Sequence, residues 1–170
     1  MLLRNLSELP ALLKKNQCLL GLDYGSTVIG VAVSDPGLRI ASPLATLTRK
    51  KFVEDARQLV VLIKDRDIGG IIVGLPKNMD GSEGATAQAA RAFMRNLAHP
   101  PKAGGAPWID PALPVVFWDE RLSTAAVERF LIESDMSRKR RDEVIDKAAA
   151  AYILQGALDA LQNKPLIMPS

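Results

Sequence analysis

Hydrophobic positions along the chain follow two periods, and the alternation between them predicts a mixed α/β domain. The run Cys18-Leu19-Leu20-Gly21-Leu22 is apolar and ends in Asp23. After Tyr24-Gly25-Ser26-Thr27, a second run, Val28-Ile29-Gly30-Val31-Ala32-Val33, leads to Ser34-Asp35. Apolar, β-branched runs bounded by turn residues read as strands, and Gly25 supplies the backbone freedom for a tight reversal, so the pair predicts a hairpin. Alternation places Leu20 and Leu22 on one face and Leu19, Gly21 and Asp23 on the other. Leu38–Leu47 predicts a third strand, with Pro43 marking an edge or a bulge. From Phe52 to Asp67, the positions Phe52, Val53, Ala56, Leu59, Val60 and Ile63 recur at helical spacing, which predicts an amphipathic helix. Gly69–Leu75 is apolar without alternation, as a central parallel strand should be. A helix over 84–97 and a strand over Val115–Trp118 follow. Ser123 or Thr124 then caps a helix reaching Ser134, and a last helix covers 142–162. The order predicts an α/β fold, a five-stranded mixed sheet flanked by helices.

Outside this pattern lie three segments. Residues 1–16 form an arm of Leu clusters interrupted by Arg4, Glu8 and Pro10, read as a docking arm or frayed helix without a signal-peptide pattern. Residues 98–113 hold four prolines and two glycines, which predicts irregular loop. Residues 164–170 are a tail, leaving 17–163 as the domain. A length of 170 residues suits one domain with a full core. The composition, 48% hydrophobic and 24% charged with no run long enough to span a bilayer, is that of a globular protein without a membrane segment. Lys and Arg outnumber Asp and Glu by 22 to 19, a mildly basic balance compatible with a nucleic-acid partner. One Cys and one His exclude an internal disulfide and argue against zinc clusters or Cys/His catalysis, and the expected setting is the reducing cytoplasm.

The chemistry concentrates in carboxylates. Two strands end in acids, Asp23 on the first and Asp119-Glu120 on the last. Asp146 sits on the final helix with Ala149, Ala150, Ile153 and Ala157 at offsets that share a stripe. A carboxylate on an apolar stripe needs a cation, strong hydrogen bonds or a proton. Were the ends bearing Asp23 and Glu120 on one edge with the last helix across them, three carboxylates would converge. Such hard oxygen donors suit Mg²⁺ or Mn²⁺, which in pairs activate water and steady a leaving oxygen. The competing reading pairs Asp146 with a nearby Arg or Lys and uses Asp119 and Glu120 as helix caps, and spacing alone leaves both open. Lys77, Asn78 and Ser82 precede a helix whose N–H groups suit a phosphate, or else form a plain capped turn. Arg138-Lys139-Arg140-Arg141 is either a contact for a nucleic-acid backbone or a solvated run. Met79 and Tyr152 are expected to be packing residues, His99 to be exposed, Trp108 to anchor its loop and Trp118 to lie in a core strand.

Four blocks, in order, resemble the YqgF/RuvX family. They are Gly21-Leu22-Asp23-Tyr24-Gly25 with Ile29–Asp35; Val73-Gly74-Leu75-Pro76 with Met79-Asp80-Gly81-Ser82; Asp119-Glu120-Arg121-Leu122-Ser123-Thr124; and Ile145–Ala150 with Ile153-Leu154-Gln155. The resemblance spans residues 18–160 and implies a ribonuclease H-like fold and a cytoplasmic nuclease, proposed in that family to process precursor 16S rRNA or to resolve Holliday junctions. By position it makes Asp23, Glu120 and Asp146 the acidic metal-site residues, with Asp119 second choice within its pair. Arg121 and the 138–141 run would then hold phosphates. The implied partners are structured RNA or branched DNA and ribosomal precursor particles, with the chain a monomer or homodimer. Ser123-Thr124 stands where the family usually has Thr-Thr. Two other readings remain. Asp23-Tyr24-Gly25-Ser26-Thr27 also resembles the phosphate loop of actin-type ATPases, which need two such domains. A non-catalytic RNA-binding assembly factor would keep the fold and lack cleavage.

Overall fold

A computed structural model describes residues 1–102, 104–119 and 138–162, with side chains of the last stretch from Ala148 onward. Strand β1 (Cys18–Tyr24) lies at the centre of the sheet. It pairs antiparallel with β2 (Val28–Ser34) through the Gly25–Thr27 reversal, and β2 pairs antiparallel with β3 (Ala41–Thr48). On its other side β1 runs parallel to β4 (Ile68–Leu75), which runs parallel to β5 (Val115–Asp119). The order β3-β2-β1-β4-β5 is the five-stranded mixed sheet expected, and with helices on both faces it is the ribonuclease H-like α/β architecture that the resemblance implies. Helices α1 (Phe52–Asp65) and α2 (Ala85–Ala98) provide the crossovers that parallel pairing requires.

The predicted alternation divides the core in two. Leu20, Leu22 and Tyr24 join Ile71, Val73 and Leu75 beneath α1 and α2, where Ala56, Leu59, Phe93 and Leu97 complete the layer. Leu19, Ala32, Ile72 and Val116 face the opposite way, against Ala150, Ile153, Leu154 and Ala157 of the last helix, α3 (Arg138–Leu161). That helix lies very close to the sheet. A Cβ at Gly21 would stand 2.8 Å from Leu154 Cβ and 3.1 Å from the Ala150 carbonyl oxygen.

The arm belongs to this second layer. Leu9 is 0% exposed and packs over Gly70, while Leu3, Leu6 and Leu13 border the same cluster. The Leu3 N–H donates to the Val115 carbonyl at 2.9 Å and the Val115 N–H to that of Met1 at 2.8 Å, so the arm covers part of the β5 edge. Leu9→Ala is expected to cost about 2–5 kcal/mol of stability, measured by urea unfolding; a loss below about 1 kcal/mol would contradict the packing.

Two boundaries differ from expectation. β3 begins at Ala41 rather than Leu38, because Leu38 has φ of 56° and the Asp35 carboxylate accepts from the Arg39 and Ile40 N–H groups at 2.7 and 2.9 Å. Those bonds, led by the one from Ile40, hold the Asp35 carboxyl below its usual range. The last helix starts at Arg138 rather than 142, so the basic run forms its first turns instead of preceding it. The helix expected over 124–134 lies outside the described residues.

Candidate functional site

Asp23 is the sixth of the seven residues of β1, half-buried, on the face that α3 covers. Its register partners are Gly30 on β2 and Gly74 on β4. Extended to the outer strands, the row reads Thr46, Gly30, Asp23, Gly74, Trp118. Neighbouring side chains on one face of a sheet ordinarily stand about 5 Å apart and crowd each other. On the neighbouring strands, glycines stand on both sides of Asp23 in place of such side chains. Sequence reasoning passed over Gly30 and Gly74, although a glycine inside a strand pattern is itself a signal of close approach. At the β3 end of the row, the Thr46 hydroxyl is buried with no hydrogen-bond partner among the described residues.

The turn after Asp23 is clamped. Arg49 Nη1 donates to the Gly25 carbonyl at 3.1 Å and the Ser26 carbonyl at 3.2 Å, and its guanidinium lies 4.5 Å over the Tyr24 ring. The Arg49 backbone N–H donates to the Thr27 carbonyl at 2.8 Å. Burial pushes the Tyr24 hydroxyl up in pKa, so it stays neutral under the cation. The sequence alone does not link Arg49 to Asp23; the β2–β3 pairing makes that link.

The direction of α3 follows from its polar contacts. Gln155 accepts from the Ala41 N–H at 2.9 Å and donates to the Arg39 carbonyl at 2.9 Å, and Gln162 donates to that of Leu38 at 2.9 Å. Its C-terminal half therefore lies over the β2–β3 turn, beside the start of β1, and its N-terminal half points toward the Asp23 end. From the Gly21–Ala150 contact, Asp23 is two residues farther along β1, about 6.6 Å. The backbone of Asp146 is one helical turn farther in the same direction, about 6 Å. Asp23 and Asp146 therefore lie in the same direction from that contact, on adjacent layers.

Asp119 pairs with Leu75, whose side chain faces the α1 and α2 layer. Alternation therefore puts Asp119 on the face opposite Asp23. Glu120 and Arg121 lie outside the described residues, as do the side chains of Asp146 and of Arg138, Lys139, Arg140 and Arg141. Among the described residues no three His, Cys, Asp or Glu side chains gather to hold a metal ion.

Lys77 and Asn78 leave the C-terminal end of β4, one strand from Asp23, in a turn built from its own hydrogen bonds. The Asn78 N–H donates to the Ser82 carbonyl at 2.8 Å and the Gly81 N–H to the Asn78 carbonyl at 2.9 Å. Asn78 Nδ2 donates to Ser82 Oγ at 2.9 Å, and the Ser82 hydroxyl to Asp80 at 2.6 Å. That hydroxyl holds the Asp80 carboxyl below its usual range. The Lys77 and Glu83 backbones pair in an isolated antiparallel β-bridge, and the Glu83 carboxylate receives two bonds from Arg91, at 2.7 and 2.8 Å; Arg91 in turn lies 4.5 Å over the Phe117 ring. The Arg91 guanidinium likewise holds the Glu83 carboxyl down. Two packing expectations fail here. Met79, at the tip of this turn, is 100% exposed, and Tyr152 is 41% exposed. His99 is exposed, and Trp108 anchors its loop edge-on to Phe52 with ring centroids 6.4 Å apart, as expected.

Comparisons with known proteins agree with the sequence blocks. A family model described as "RuvX: Holliday junction resolvase" matches residues 17–160. A protein of Rhodospirillum centenum, named "Putative pre-16S rRNA nuclease", is 56% identical over 163 residues, 96% of this chain and 84% of the relative. A Roseobacter denitrificans protein of the same name is 52% identical over 162 residues, 95% of this chain and 94% of the relative. Among solved structures, Thermus thermophilus RuvC in complex with a Holliday junction substrate aligns over 87% of this chain and 97% of that one, with 12% identity and a TM-score of 0.49. No helix among the described residues is long and apolar enough to cross a membrane.

Proposed function

This chain belongs to the RuvX family, and from that premise we propose that it is a metal-dependent nuclease that hydrolyses phosphodiester bonds at the 5′ end of precursor 16S rRNA. The observation that carries the reading is Asp23 at the end of the central strand, in a row cleared by Gly30 and Gly74 and facing α3. Relatives more than 50% identical along nearly the whole chain bear the pre-16S rRNA nuclease name, which supports the choice of substrate.

In this reading Asp23, Glu120 and Asp146 hold Mg²⁺ or Mn²⁺. Carboxylate oxygens are the donors these hard cations prefer, and Asp23 is flanked in its row by Gly30 and Gly74. When bound, such ions activate a water and stabilise the departing oxygen of an in-line displacement. The chain's own residues supply the rest. Arg49 holds the Gly25–Ser26 turn and so orients the end of β1 that carries Asp23. Lys77, Asn78, Arg121 and the Arg138, Lys139, Arg140 and Arg141 run would bind backbone phosphates on either side of the scissile bond. The setting would be the cytoplasm, with ribosomal precursor particles as the partner.

The family model's description favours a second reading, resolution of Holliday junctions, for which a symmetric dimer on paired strands is expected. One side-by-side cleavage assay separates the readings, offering 5′-leader fragments of precursor 16S rRNA and four-way DNA junctions with Mg²⁺ or Mn²⁺. Divalent-dependent cut ends on the RNA alone support rRNA processing, and paired symmetric cuts in the junction alone support resolution. Salt-sensitive RNA binding without any divalent-dependent cleavage would overturn both in favour of a non-catalytic assembly factor.

A further inference from the structure

We propose that Met79 is a wedge that enters the substrate's base stack beside the cleavage site, so that the preferred substrate is a base-paired nucleic acid with a step that opens. The proposal rests on the nuclease reading and adds to it a residue that selects the substrate. A single exposed apolar side chain is ordinary on a protein surface; the setting of this one is not. Met79 is 100% exposed, more than any other large apolar residue described. It stands at the tip of a turn closed by the Asn78–Ser82 and Gly81–Asn78 backbone bonds, with Gly81 at φ 86° and the Asp80 carboxylate accepting from both the N–H and the hydroxyl of Ser82. The base of the turn is held by the backbone β-bridge between Lys77 and Glu83 and by the two-bond Arg91–Glu83 pair. Such a turn presents its tip in a set position instead of collapsing onto the protein, so the thioether is held in water where the fold gives it nothing to pack on.

Location identifies the occupant. The turn follows β4, whose penultimate residue, Gly74, is the register partner of Asp23. Met79 is five steps along the chain from Gly74, so their Cα atoms are at most about 18 Å apart. That distance spans only a few nucleotides of a strand whose scissile phosphate lies at Asp23. Lys77, at the base of the same turn, supplies a cation for the adjoining backbone. Methionine is among the apolar residues that proteins insert between base pairs, unstacking a step and bending the duplex. A stack opened there would draw the adjoining backbone into the Asp23 row. It would also favour sites where unstacking costs least, such as helix ends, mismatches and branch points.

The test uses the full chain with Asp23→Asn, to suppress cleavage, and two probes carrying 2-aminopurine: a base-paired precursor 16S rRNA leader stem and a four-way DNA junction. On the bound probe, the proposal expects a rise in 2-aminopurine emission, the signature of an unstacked base. Adding Met79→Ser should abolish that rise while changing affinity by no more than about threefold, because phosphate contacts dominate binding. Adding Met79→Leu, which keeps an apolar wedge, should restore it. In the otherwise native chain, Met79→Ser should slow cleavage of paired substrate by about tenfold or more and leave cleavage of a single-stranded version unchanged. Binding without an emission rise, or a rise that survives Met79→Ser, would overturn the wedge and leave the nuclease reading standing. Failure of the native chain to bind or cut any probe would overturn both.

Discussion

Asp23→Asn is expected to reduce divalent-dependent cleavage by about 10³-fold or more while leaving the fold and nucleic-acid affinity close to those of the native chain. The substitution keeps the side chain's shape and removes its charge. Its register partners on both neighbouring strands are glycines, so the isosteric change meets no side chain from them. What it removes is a hard anionic donor, and losing several kcal/mol of charge stabilisation at a reacting phosphate corresponds to about that change in rate. Affinity should persist because it derives from cations spread over the surface. The measurement is single-turnover cleavage beside a binding titration and a circular dichroism spectrum. Native-like cleavage by the variant would remove Asp23 from the site.

The second large effect links the core to the site. Gly21→Ala adds one methyl group where a Cβ would stand 2.8 Å from Leu154 Cβ and 3.1 Å from a backbone oxygen of α3. Since the oxygen belongs to a helix backbone, the strain has to be relieved by moving the helix. Overpacking of this kind costs about 1–3 kcal/mol, and for a chain of this size a 2 kcal/mol loss lowers Tm by about 4–8 °C. Activity should fall much further than stability. Moving α3 away from β1 shifts Asp146 relative to Asp23, and a displacement of about 1 Å in a catalytic constellation costs about 100-fold in rate. Calorimetry and cleavage kinetics on one preparation test both halves. An unchanged Tm together with unchanged activity would mean that the seating of α3 on Gly21 does not set the site.

Much of this architecture was legible because the segments that form it carry strong local patterns. The hairpin of β1 and β2, the uniformly apolar β4 and the amphipathic α1 and α2 fall within a residue or two of their expected bounds. The start of β3 was misread because apolar Leu38 and Ile40 mimic strand residues, while Asp35, a turn-former whose reach is not visible in hydropathy, holds the chain back until Ala41. The last helix was expected too late. Four consecutive cations carry no apolar stripe, so periodicity could not count them as helical, yet Arg138–Arg141 form its first turns. Met79 was expected to pack because it is apolar, and hydropathy does not register that a turn closed by Asn78, Asp80 and Ser82 holds it outward.

The candidate site was legible as residue types and only partly as geometry. Alternation along β1 correctly put Asp23 on the face away from Leu20 and Leu22, and the same rule, applied with the β4–β5 register in hand, separates Asp119 from it. That register cannot be read from β5 alone, so the sequence by itself leaves Asp119 and Glu120 as alternatives. The role of Arg49 was hidden for a related reason. Its contacts with Gly25 and Ser26 depend on a strand pairing that brings together positions more than twenty residues apart.

The most direct measurement is a crystal of the native chain soaked in Mn²⁺, with anomalous difference maps collected at the manganese edge. The account predicts a manganese peak on the α3-facing side of β1, about 2.1 Å from carboxylate oxygens of Asp23, Glu120 and Asp146. A map without manganese at Asp23, in a crystal where Glu120 and Asp146 turn away from it, would contradict the account.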